Sequence, residues 1–163
     1  DRAIETERAI HAAGVIVLLR GTALACAGAV ALATLLPEGD PVWRWAAAPE
    51  GAGLLASIGA YGILRGRRRM LLLAAPPALA WVLLSLAPIV MAFKKGGPGL
   101  GSPGLGLEPL WLVLLPAFFL PDVYALWTLF RRRGRLFVAR GMVGLCVLSS
   151  LAVAWLGPAV FLA

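Results

Sequence analysis

Histidine occurs once in these 163 residues, as His11, and cysteine twice, as Cys26 and Cys146. One imidazole with no Cys-Xaa-Xaa-Cys-His segment argues against haem attachment, and a histidine-based metal site would need ligands from a second chain. Neither cysteine has metal-ligand spacing, and two make no disulfide framework. Both fall in apolar stretches and read as small buried hydrophobes. Catalytic patterns are equally scarce: there is no Ser-Xaa-Xaa-Lys, Gly-Xaa-Ser-Xaa-Gly, His-Glu-Xaa-Xaa-His or Walker lysine. An enzyme acting alone is not expected, no cofactor is indicated, and lipid is the expected small-molecule contact.

Charge is scarce as well. Charged residues make up 14% of the chain and hydrophobic ones 61%, whereas a soluble domain carries about 25% charge. A water-soluble fold of this length could not hide so much apolar surface. The net charge of +7 does not point to nucleic acid, because the basic residues gather in short links and not along a face with interleaved aromatics. Anionic lipid headgroups are the expected partner, at roughly 1 kcal/mol per basic side chain near the surface.

What the chain does have is long apolar runs separated by arginine-rich links. Five segments, near residues 12–36, 46–64, 70–93, 109–130 and 136–161, are long enough to cross about 30 Å of hydrocarbon. The expected fold is all-α, a single transmembrane domain over 1–163, with four spans if the second segment, trimmed by Pro49 and Glu50, is re-entrant. Arg65, Arg67, Arg68 and Arg69 fill one link, and Arg131, Arg132, Arg133 and Arg135 the other. With the N-terminus inside, these join Arg2, Arg8, Arg20 and Arg140, so that twelve of the fifteen basic residues lie on the inner side. Arg44, Lys94 and Lys95 remain outside with Glu38, Asp40, Glu50 and Glu108. An N-in, C-out protein of a bacterial-type plasma membrane is expected.

The opening residues, Asp1 to His11, mix charge with Ile4 and Ile10 and contain no helix breaker, so they read as a cytoplasmic extension of the first helix. The missing initial methionine is expected to reflect either a longer precursor or a boundary chosen within a longer chain. Residues 94–108, rich in glycine and proline, read as a flexible outer tether. Trp43 and Trp45 fit the outer headgroup level, and Trp111 and Trp127 opposite interfaces of the fourth helix. Leu86–Val90 and Leu156–Val160 echo one another, as two repeated hairpins would.

Charge inside the hydrocarbon is the sharpest functional pointer, since it is costly and is normally paired or turned to a cavity. Asp122 lies about 12 Å from the inner end of its helix at 1.5 Å per residue. Its expected partner is Arg20, with Arg140 as the second choice. Pro121 should free a carbonyl near Ala117. The pair suits either a structural lock or ion handling. Small residues form stripes at four-residue intervals, Gly21, Ala25, Ala29 and Ala33 on the first helix and Ala52, Ala56 and Ala60 on the second, as helix-packing faces. Ser149 and Ser150 should bond to preceding carbonyls.

The expected role is a non-catalytic membrane subunit that scaffolds a larger complex through helix and lipid contacts. The alternatives are a small transporter or proton-coupled element using Asp122, and the transmembrane anchor or sensor of a longer signalling protein.

Overall fold

The computed structural model describes residues 2–38, 43–94, 108–131 and 135–162, with side chains apart from residues 2, 35–38, 43–46, 68, 84–94, 108–115 and 156–162. Among the described residues the chain forms five α-helices and no strand: α1 (Arg2–Glu38), α2 (Trp43–Leu64), α3 (Leu71–Lys94), α4 (Glu108–Arg131) and α5 (Leu136–Leu162). The tether at 95–107, Asp1, Asp40, Lys95, Arg132 and Arg133 lie outside the described residues. So do the side chains of Arg44, Trp43, Trp45, Lys94, Trp111, Arg68 and the two echoing segments. By length and composition, two helices are apolar enough to cross a membrane, through the stretches Ala3–Thr34 and Leu136–Trp155.

The 37 residues of α1 give a rod of about 56 Å at 1.5 Å per residue. It packs against all four other helices and most extensively against α2 and α5. Its first turns have no breaker, which is why the charged segment stays helical. The backbone N–H of Leu136, at the start of α5, donates to Glu5 Oε1 at 3.3 Å. The carboxylate thereby satisfies an amide that the helix leaves unbonded and sits at the positive end of its dipole.

The α1–α2 seam is built from glycine. Gly14, Gly21 and Gly28 recur every seven residues and face Leu64, then Ser57 with Gly53, then Glu50 in an antiparallel register. A Cβ placed on Gly53 would lie 2.5 Å from the backbone nitrogen of Ala25 and 2.6 Å from the oxygen of Gly21. The two backbones are therefore in direct contact, an approach that small residues alone permit. A seven-residue repeat drifts only about 20° around a helix, so one seam can follow it for several turns.

Of the four-residue stripe on α1, Gly21 and Ala25 meet α2. Gly21 is buried and Ala25 half-buried, but Ala29 and Ala33 are exposed. At 3.6 residues per turn each four-residue step advances about 40°, which carries Ala29 and Ala33 away from α2. On α2 itself, Ala56 and Ala60 are buried and Ala52 is half-buried.

Between α2 and α3 the chain turns tightly. Gly66 has φ of 77°, Gly66 N–H donates to the Ile63 carbonyl at 2.9 Å, and Arg67 N–H donates to Gly62 at 2.9 Å. This pair of bonds, closed by a left-handed glycine, is a Schellman motif and ends α2. A single 3-10 turn over Arg68–Met70 then leads into α3.

Small side chains fill much of the interior, and many large apolar ones are exposed. Most of the buried apolar residues are alanines, among them Ala13, Ala27, Ala56, Ala60, Ala74 and Ala125, while Leu72, Phe137 and Trp155 are 79%, 88% and 85% exposed. The largest core cluster joins Ile16, Val17, Ala60, Ala74, Ala125 and Cys146 across all five helices.

Candidate functional site

α1 brings Arg20 to the middle of the bundle, where its side chain is almost fully buried and Asp122 of α4 is wholly so. Arg20 Nε donates to Asp122 Oδ2 at 3.1 Å. Nη2 of the same guanidinium donates to the Phe118 carbonyl at 3.0 Å and to Ser149 Oγ of α5 at 2.9 Å. Its central carbon also stands 5.2 Å from the ring centroid of Trp81 on α3, within range of a cation–π contact. One arginine thus ties α1 to α3, α4 and α5. The planar fork makes this possible, since a lysine ammonium would act as a compact point charge.

The Phe118 carbonyl is the hub on α4, accepting from Trp81 Nε1 at 3.1 Å as well as from Arg20. It lies one residue beyond the carbonyl expected to be free at Ala117. Pro116 and Pro121 both lie inside the continuous helix α4; each lacks an N–H and so withdraws the helical donor of the carbonyl four residues before it.

Ser149 Oγ also donates to the Cys146 carbonyl at 3.2 Å. Cys146 is buried, with its sulfur 3.6 Å from the Ile16 carbonyl and 3.6 Å from Ser150 Oγ. Cys26 corrects its expectation: it is exposed on α1, on the side turned away from the α2 seam. Among the described residues, three buried polar side-chain atoms have no hydrogen-bond partner: Arg20 Nη1, Asp122 Oδ1 and Thr128 Oγ1. Beside the pair a void of about 10 Å³ is lined by residues that include Gly21, Ala56, Trp81 and Asp122, roughly the space of one water.

Arg140 does not join this centre. It is exposed on α5 and makes no ion pair among the described residues, because the inward edge of α5 runs through Ala139, Cys146 and Ser149. Of the arginines in the links, Arg65, Arg67, Arg69, Arg131 and Arg135 are exposed. Arg65 stacks over Tyr61 and Arg131 over Trp127, each 5.0 Å from the ring centroid. No group of three or more metal-ligating side chains occurs among the described residues.

Sequence reasoning missed Trp81 and the acceptor role of Ser149. The spacing offered a signal for the serine alone: Cys146, Ser149, Ser150 and Val153 mark one face of α5. Trp81, in the middle of an apolar helix, carried no such mark. Compared with known proteins, the chain matches no family model, no curated protein sequence and no solved structure.

Proposed function

We propose that this chain is a five-span integral membrane protein, N-in and C-out, that serves as a non-catalytic subunit of a larger membrane assembly. The observation that carries the reading is the inside-out packing: alanine and glycine within, leucine and aromatic side chains without. In water such an exterior would drive aggregation; in lipid, small residues between helices and large ones against acyl chains are the stable arrangement. The Arg20 centre acts on this reading as a lock that fixes helix order, since most of its donors are spent on neighbouring helices.

The docking side for a neighbour is α5. Phe137, Gly141, Gly144, Leu148, Leu151 and Trp155 follow alternating steps of four and three residues and are all exposed, the spacing of a coiled-coil seam. A Cβ on Gly141 or Gly144 would meet nothing within 4 Å. A photo-crosslinking residue at position 148, followed by mild-detergent purification, tests this. A crosslink to a second membrane protein is expected, and a lone uncrosslinked monomer contradicts it.

A second reading, a small carrier working through Asp122, is favoured by Arg20 Nη1 and Asp122 Oδ1, which belong to residues lining the void and have no hydrogen-bond partner among the described residues. It requires vesicles that show proton or cation flux abolished by Asp122→Asn. Absence of such flux removes it.

A further inference from the structure

The inner ends of the helices enclose a cleft of about 320 Å³, the lower end of the range for small-molecule pockets. Its deep wall is apolar, formed by Ile63 and Leu64 of α2, Leu71 of α3 and Leu129 of α4. Its polar wall is Glu7 and His11, one turn apart on α1, and Gly66 of the Schellman turn closes one side.

Glu7 is unusual in its setting. The inner side holds most of the positive charge of the chain, yet Glu7 makes no ion pair among the described residues. Two of the inner arginines are stacked on rings of their own helices: Arg65 covers Tyr61 and Arg131 covers Trp127. Arg67, which follows Gly66, is exposed and also has no acidic partner among the described residues. A carboxylate in the cleft and the guanidinium of the residue that follows Gly66, neither with an ion-pair partner among the described residues, offer complementary charges to a ligand that carries a cation and an anion a few bonds apart.

The level of the cleft says where such a ligand comes from. Glu7 and His11 belong to the charged extension of α1, and the apolar run of that helix begins at Ala12. On the membrane reading, which this inference rests on, the cleft lies in the inner headgroup layer with its apolar wall facing the hydrocarbon. A cavity of this size admits a headgroup, with the acyl chains left along the outside of the bundle.

We infer that the cleft lined by Glu7, His11 and Gly66 binds the headgroup of an ethanolamine phospholipid. The Glu7 carboxylate takes the primary ammonium, Arg67 takes the phosphate, and the wall of Ile63, Leu64, Leu71 and Leu129 takes the glycerol, with the chains outside the cleft. A choline headgroup carries the same charges but its methylated nitrogen has no N–H to donate to Glu7. A glycerol headgroup offers the phosphate without the ammonium.

The test uses the full chain reconstituted in bilayers of equal parts ethanolamine, choline and glycerol phospholipid, then released into mild detergent. Retained lipid is quantified by native mass spectrometry. The ethanolamine lipid is expected in excess over the choline lipid by roughly two- to five-fold, the size of one solvent-accessible hydrogen bond. In Glu7→Gln the excess disappears, and because Glu7 is exposed the bundle stays folded. Equal retention of all three, an excess unchanged in Glu7→Gln, or preference for the glycerol lipid each overturns the assignment. Failure to enter the bilayer at all would instead overturn the membrane reading and this inference together.

Discussion

Removing either charge of the Arg20–Asp122 pair leaves the other buried among Leu24, Ala56 and Trp81. Breaking such a pair typically costs about 3–5 kcal/mol, whereas replacing both members by apolar residues of similar volume is often neutral or stabilising. Asp122→Leu alone is therefore expected to lower the midpoint of thermal unfolding in detergent steeply. The double variant Arg20→Met with Asp122→Leu should recover most of that loss. Arg20→Lys should fare little better than a deletion, because one ammonium cannot reach Asp122, Ser149 and the Phe118 carbonyl while covering Trp81. Equal stability of single and double variants would show that the pair is not a structural lock.

At the scale of elements, the α1–α2 seam sets a contrast within one residue type. Gly53→Val places a side chain on the backbone of Ala25 and is expected to abolish the folded bundle, read as loss of a monodisperse peak in detergent chromatography. Gly51 meets nothing within 4 Å, so Gly51→Ala is expected to be tolerated and to add up to about 1 kcal/mol through helix propensity. At the start of α5, Glu5→Ala should cost about 0.5–2 kcal/mol by removing the carboxylate that caps Leu136. A stability unchanged within error would deny that contact any role.

The same seam shows what the sequence could and could not convey. Helix extents were legible because apolar runs and arginine links alternate: α2 to α5 begin and end within about three residues of the expected segments, and α1 starts at Arg2, ahead of its apolar run, because the charged opening continues the helix. Arg20 and Asp122 were legible as partners because a charge deep in an apolar run demands a counter-charge at the same depth. The packing face was not. Small residues are so frequent here that a four-residue and a seven-residue repeat coexist on α1, and only the neighbour's position chooses Gly14, Gly21 and Gly28 over Ala29 and Ala33. Trp81 was hidden for a related reason, since nothing local separates an aromatic that meets a guanidinium from one that meets lipid.

For the whole molecule, the proposal makes the arginine links a shared inner surface and the α5 seam a site of assembly. Gly144→Leu would fill the notch on α5 without touching the bundle, because nothing lies within 4 Å of that position. It is expected to leave the monomer as stable as before and to prevent partners from co-purifying. If partners persist, the subunit binds through another face.

The most direct measurement concerns threading. In a variant with Cys26 and Cys146 replaced by alanine, single cysteines at positions 67 and 135 are offered to a membrane-impermeant maleimide in intact cells and in inverted vesicles. Both positions are predicted to react in inverted vesicles and to stay unlabelled in intact cells. Labelling of the two from opposite sides of the membrane, or recovery of the chain in the aqueous fraction, would contradict the account.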